Sequence, residues 1–407
     1  MNGRRAVAVT GIGVISPFGV GREALFEGLT QGRCAIGPLS VLEAPLEQVP
    51  VVGEVRNLPD VDAPGGLHLS RTDRLAVVAA CQAAMSLSDE PRIRRDCAVV
   101  VSTTVAGLSD LEPEAAVEPE AYYRRGGLGP ASTYPTSHPA DAVARSLDLV
   151  GPRFGTSVAC ASGAMAIAAA ARAIVDGRAS VALAGGSDAL CLFTLAGFSA
   201  LQALDSHRCR PFDESRGGLN IGEGAAMLLL EELSHARARG AEVLALVAGW
   251  ASTNDAFHPT APHEEGRGLA MSMTQAMRRA QVQGDAVGYV NAHGTGTRLN
   301  DVAEVRAYER AFAGRGVPVP VSSTKSHIGH TLGAAGAIEA VITLLALRGG
   351  VLIPTLRLDT PIATQAVDLL RGAVRPTSMD VAMSVSAGFG GSNTSLVFAL
   401  DRESRSS

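Results

Sequence analysis

Short apolar runs alternate with much longer alanine-rich segments, and few folds accept that alternation. Ala98–Val101, Val181–Ala184 and Met227–Leu230 fit strands buried on both faces, and Ala6–Thr10 fits a first strand. Ala161–Val175 is dense in alanine and has no Pro or Gly after Gly163, so it reads as a buried helix. Gly333–Leu347 reads as a second, its early glycines leaving room for close packing. Strands alternating with helices imply an α/β fold with largely parallel sheets covered on both faces. At 407 residues the chain suits two or three domains or one large α/β unit, and a composition 46% hydrophobic and 18% charged supports a sizeable core. The stretch around Trp250 is the expected boundary, dividing the chain into halves 1–248 and 249–403. There is no tandem repeat, low-complexity tract or heptad. Gly11 and Gly13 follow a strand, but no third glycine completes a dinucleotide loop.

Several function classes drop out. A net charge of -5 gives no basic surplus for nucleic acid. The uninterrupted apolar stretches fall far short of the roughly 20 residues a membrane span needs, and no membrane contact is expected. Gly11, Gly13 and Pro17 break the one segment that imitates a signal peptide. Six cysteines lie singly, none at CxxC spacing, which points to free thiols in a reducing compartment and a cytoplasmic protein.

Chemistry concentrates in three places. Thr156–Ala164 reads TSVACASGA and places Cys160 just ahead of the alanine-rich helix. Unpaired N–H groups and the helix dipole there favour a thiolate. For the other five cysteines, inert burial is the ordinary reading. Asn291–Thr297 reads NAHGTGT, where glycines can press His293 against a ligand; a satisfied core histidine is the competing reading. Ser323–His330 reads STKSHIGH, with Glu339 nine residues on. Of the 35 basic residues only Lys325 is a lysine. A polar loop capping the next helix would also explain this block. His327 and His330 could share a helical face, but no cysteine or carboxylate cluster completes a ligand set, so no metal is expected.

Together the three blocks resemble the β-ketoacyl-acyl-carrier-protein synthases of thiolase fold, in their chain-elongating, two-histidine group. VTGIGVISPFG from Val9, RPFDESRGGLNIGEGAAMLLLE from Arg210 and GFGGSN from Gly388 agree with the same family, so the resemblance covers nearly the whole chain. It implies a layered α-β-α-β-α fold of two similar halves and an acyltransferase that joins an acyl chain to malonyl carrier with loss of CO₂. By it, Cys160 is the nucleophile and His293 and His330 stabilise the enolate. The backbone N–H groups of Cys160 and Phe389 form an oxyanion hole. Lys325 and Glu339 form a buried pair holding the histidines, and Thr295 and Thr297 bind the phosphopantetheine arm. His327 falls at a variable position and receives no role.

The resemblance implies no bound cofactor, substrates being carried on the phosphopantetheine of an acyl carrier protein. It also implies a dimer, either with an identical subunit or with a chain-length factor. Chain-initiating relatives carry asparagine at His330, and chain-length factors lack the cysteine. A silent partner subunit and a Cys–His hydrolase are the alternatives to a working elongating enzyme. Type II polyketide or polyene synthesis competes with fatty-acid synthesis as its setting. Val385 and Ala387 depart from the family's usual asparagine and phenylalanine, Val105 matches the far end of the acyl pocket, and Arg124 and Arg125 miss the register of the carrier-docking pair. Arg71, Arg74, Arg208 and Arg210 are the arginines expected to dock an acidic carrier.

Overall fold

The computed structural model describes residues 5–42, 51–87, 91–117 and 130–401. The first half of the chain supplies β1 (Val7–Ser16), β2 (Ala98–Ser102), β3 (Arg153–Phe154), β4 (Val181–Asp188) and β5 (Gly224–Glu232). The second supplies β6 (Ala245–Asn254), β7 (Tyr289–Asn291), β8 (Val319–Ser322), β9 (Val367–Leu369), β10 (Val381–Gly388) and β11 (Ser392–Ala399). The spatial orders are β3-β2-β4-β5-β1 and β8-β7-β10-β11-β6, with β9 added outside β8. With β9 set aside, both read third, second, fourth, fifth, first. The chain is therefore a structural duplication whose halves share a strand order but no visible sequence repeat.

Two expectations are corrected. The sheets are mixed rather than largely parallel: β2 pairs in parallel with β3 and β4, but β4–β5 and β5–β1 are antiparallel. The second half repeats this, with β7 parallel to β8 and β10, and β10–β11 and β11–β6 antiparallel. A tight turn at Phe389–Gly391 joins β10 to β11 and forces that reversal. The boundary expected at 248/249 falls inside β6, as does Trp250. Strand β6 pairs with β11 along its length and also with β1, through Ala8–Leu246 and Val9–Ala245, so the two halves join there.

Five layers result. Helix α1 (Arg71–Ala84) covers the outer face of the first sheet; α2 (Ser162–Val175) lies inside; α3 (Arg267–Ala280) and α4 (Arg298–Ala311) belong to the second half, with α3 on its sheet; α5 (Ala335–Gly349) lies inside beside α2. Glycine makes the central contact possible. A Cβ on Gly163 would sit 2.7 Å from Ala337 N, and one on Gly336 would sit 2.7 Å from Ala164 N. The helices thus touch backbone to backbone, and alanine elsewhere keeps the layer thin. Leu332–Gly349 passes for a membrane span by length and composition alone, yet 83% of it is buried inside the protein. Its hydropathy is that of a core helix coated on every side.

Candidate active site

Cys160 sits on a tight turn leading into α2. Ala159 before it has φ 51°, a left-handed conformation costly for any residue with a Cβ. The Ser162 hydroxyl holds the turn, accepting from Val158 N (2.9 Å) and donating to Ala159 O (2.6 Å). From the other half, a Cβ on Gly388 would come within 3.1 Å of Cys160 N and 3.0 Å of Val158 O, so glycine lets that backbone lie against the cysteine without crowding. Burial pushes the thiol up to about 12, with the Lys325 charge opposing. At 8% exposure, lost hydration works against the thiolate that the helix N-terminus favours.

His293 follows β7 and its loop is anchored from beneath. Glu304 on α4 accepts from His293 N and Gly294 N, both at 2.7 Å, and from the Tyr308 hydroxyl at 2.6 Å. Asp301, one turn earlier, accepts from Phe212 N at 2.7 Å and Gly296 N at 3.1 Å. Neither carboxylate was singled out from the sequence. Their signal was their spacing, three residues apart on one helical face directly after Thr297.

The two imidazoles share a tautomer. Lys325 Nζ lies 3.4 Å from His293 Nδ1 and also donates to His293 O (2.5 Å) and to Glu339 Oε1. An ammonium only donates, so Nδ1 of His293 accepts and its Nε2 keeps the proton. Leu332 N donates to His330 Nδ1 at 3.2 Å, which leaves the proton of His330 on Nε2 as well. Burial first, then the Lys325 charge, holds both histidines well below their ordinary value, and the neighbouring His330 further disfavours charge on His293. Two neutral rings, 5.3 Å apart and nearly perpendicular, therefore each carry an Nε2–H. Burial raises Glu339 to about 7 against the pull of Lys325.

Cys160, His293 and His330 line one cavity of about 510 Å³, together with Thr295, Thr297 and Ala387. Phe389 stands on its wall, 37% exposed and stacked on Phe198 at 5.5 Å between centroids. Asp255 ties down the Phe389 turn by donating its N–H to Gly391 O (2.8 Å) and accepting from Asn393 (2.9 Å). Val105 does not line this cavity; it is buried in an apolar cluster with Leu190, Leu219 and Leu332. His327 is fully buried away from the cavity, beside the Ser326 hydroxyl.

The arginines part company. Arg71, expected to dock the carrier, is engaged within the chain: its Nε and Nη2 donate to buried Glu223 at 2.8 and 2.5 Å, and Nη2 also donates to Val55 O. A guanidinium held this way closes the structure rather than meeting a partner. Arg74 is half-buried on the same helix. Arg208 is exposed, with Nε on Ile36 O at 3.0 Å, and half-buried Arg210 bonds Ser215 at 3.2 Å. Arg124 and Arg125 lie outside the described residues.

A duplicated α-β-α-β-α sandwich with a cysteine and paired histidines meeting between its halves is the thiolase fold in its condensing form. Sequence models of the β-ketoacyl synthase N-terminal and C-terminal domains match residues 4–236 and 244–359. The 3-oxoacyl-[acyl-carrier-protein] synthase 2 of Synechocystis is 34% identical, across 97% of this chain and 98% of that one. The tetracenomycin polyketide synthase ketoacyl synthase alpha subunit of Streptomyces glaucescens is 36% identical, across 99% of each. The solved ishigamide ketosynthase/chain length factor superposes with a TM-score of 0.91 at 30% identity, covering 98% of this chain and 100% of that one. The chain belongs to the β-ketoacyl synthase family, and it is an acyltransferase of the carbon–carbon bond-forming kind.

Proposed function

We propose that the protein condenses an acyl chain held on Cys160 with malonyl-acyl carrier protein, releasing CO₂ and a β-ketoacyl carrier. The observation that carries this reading is the pair of neutral Nε2–H donors sharing a cavity with the cysteine. Cys160 attacks the thioester carbonyl of the acyl carrier. The C–S bond to the carrier's phosphopantetheine breaks, and its sulfur leaves with the proton that the Cys160 thiol gives up, so the acyl chain becomes a Cys160 thioester. The malonyl C–C bond then breaks, its electrons passing into an enolate whose oxygen accepts from His293 and His330. The enolate carbon attacks the Cys160 thioester, the backbone N–H groups of Cys160 and Phe389 receive the developing oxyanion, and sulfur departs and is reprotonated. Lys325 and Glu339 hold His293 in register, and Thr295 and Thr297 meet the phosphopantetheine arm. No resident cofactor is needed.

The names of the relatives support an acyl carrier protein as partner and either fatty-acid or type II polyketide synthesis as the setting; we favour polyketide or polyene synthesis. The likeness to the solved ishigamide ketosynthase/chain length factor supports a dimer with a chain-length factor, an identical subunit being the alternative. Six free cysteines suit the reducing cytoplasm. The test is incubation with acyl and malonyl carriers. The reading requires CO₂ and β-ketoacyl carrier in equal amounts, and free acid without CO₂ would identify a hydrolase instead.

A further inference from the structure

Asp188, the last residue of β4, is fully buried and lines no part of the cavity. Five donors converge on its carboxylate. The Thr103 hydroxyl, Thr104 N (2.9 Å) and Val105 N (3.1 Å) reach Oδ1; the Thr104 hydroxyl and Gly333 N (2.5 Å) reach Oδ2. The first four belong to the turn after β2, and the fifth to the turn that leads from His330 into α5. Both turns are strained: Ala106 has φ 46° and Leu332 has φ 52°. They also pack together, since Val105 and Leu332 share one apolar cluster.

The Leu332 N–H is the group that donates to His330 Nδ1. Its direction depends on a left-handed residue whose next neighbour is bonded to Asp188. There is no slack at that point: a Cβ on Gly333 would lie 2.6 Å from Asp188 Oδ2 and 2.9 Å from Thr104 N. We propose that Asp188 is a positioning residue that clamps the Thr103–Val105 turn to the Leu332–Gly333 turn and so keeps the His330 proton on Nε2. The inference rests on the reading of His330 as a donor to the malonyl thioester. It adds that this donor is held through a carboxylate from the other half of the duplication.

The experiment compares Asp188→Asn, Gly333→Ala and His330→Ala with the parent in two separate reactions. These are acyl loading of Cys160, followed by intact mass, and CO₂ release from malonyl carrier; ¹⁵N spectra report the His330 tautomer. An asparagine amide presents its own N–H groups to five donors, and an alanine at 333 drives a methyl into Oδ2. Both should load with an unchanged KM, lose on the order of 100-fold in kcat for CO₂ release, and show a mixed His330 tautomer. If His330→Ala is inactive while the other two variants release CO₂ at the parental rate with a parental spectrum, the positioning role is overturned and the reading of the reaction stands. If His330→Ala still releases CO₂, that reading falls and the inference with it. Proportional loss of loading and CO₂ release at a lowered Tm would reduce Asp188 to a structural residue and overturn the proposal. Should Asp188→Asn fail to fold, Gly333→Ala and the near-isosteric Thr104→Val, which removes one hydroxyl donor, decide between the same outcomes.

Discussion

The ammonium of Lys325 lies 3.4 Å from Nδ1 of His293, and that contact fixes where the imidazole keeps its proton. The same ammonium is paired with Glu339, both side chains being almost completely buried. Stability and tautomer control therefore separate. Lys325→Met should cost about 3–5 kcal/mol by leaving a buried carboxylate unpaired. Lys325→Met with Glu339→Gln should recover most of that in urea denaturation while remaining unable to condense. A double variant that regains both would show that Lys325 acts on the fold alone.

His327 supplies a pH signature that does not involve the reaction. Burial, then the Arg357 charge, lowers it to about 3. An unfolded histidine titrates near 6.5, so below that pH the unfolded chain binds a proton that the folded chain refuses. Stability is then fully present above about 6.5 and falls on acidification toward 3, by about 1.4 kcal/mol per pH unit from this residue. Buried Glu304 and Glu339, both raised to about 7, contribute with the opposite sign, so the informative quantity is a difference. His327→Gln should be less acid-sensitive than the parent by that slope between pH 6 and 5. Parallel stability curves would exclude the effect.

Arg71 and Arg208 should respond differently to charge reversal. Arg208→Glu is expected to raise KM for a carrier-borne substrate and leave a small thioester mimic unaffected, because it alters an exposed guanidinium. Arg71→Glu places a second carboxylate against buried Glu223 and should lower Tm and lose activity with both substrates alike. A carrier-specific effect at Arg71 would restore it as a docking residue.

Ala387 lines the cavity at the position where the family resemblance implies a phenylalanine, on the strand that ends just before Phe389. The space left by the missing ring should admit stiff, conjugated acyl chains. In competition between saturated and polyunsaturated acyl carriers of equal length, the parent should favour the conjugated chain, and Ala387→Phe should reverse or erase that preference. An unchanged preference would mean that neighbouring side chains already occupy the volume.

Local chemistry was legible in the sequence, and long-range compensation was not. The strands and central helices announced themselves by composition, and the NAHGTGT and STKSHIGH blocks drew attention to residues that meet in one cavity. The duplication was legible only through the family resemblance, because it lies in strand order, which side chains need not repeat. Arg71 looked like a surface charge because its partner Glu223 stands 152 residues away. The burial of the Cys160 thiol is hidden for a related reason: a helix terminus is visible in a sequence, but the packing that strips water from the sulfur is not. Glu304 and Asp301 were overlooked although their helical spacing was in plain view, since carboxylates after a loop ordinarily face solvent.

The central claim is that His293 and His330, as neutral Nε2–H donors, drive loss of CO₂ independently of the nucleophile. The direct measurement is CO₂ release from malonyl carrier by Cys160→Ala, alone and combined with His293→Ala or His330→Ala. The account predicts continued release with no acyl adduct in the single variant. It predicts a further fall of about 10²–10³-fold when either histidine is removed. Undiminished CO₂ release without the histidines, or an acyl adduct on another cysteine, would contradict it.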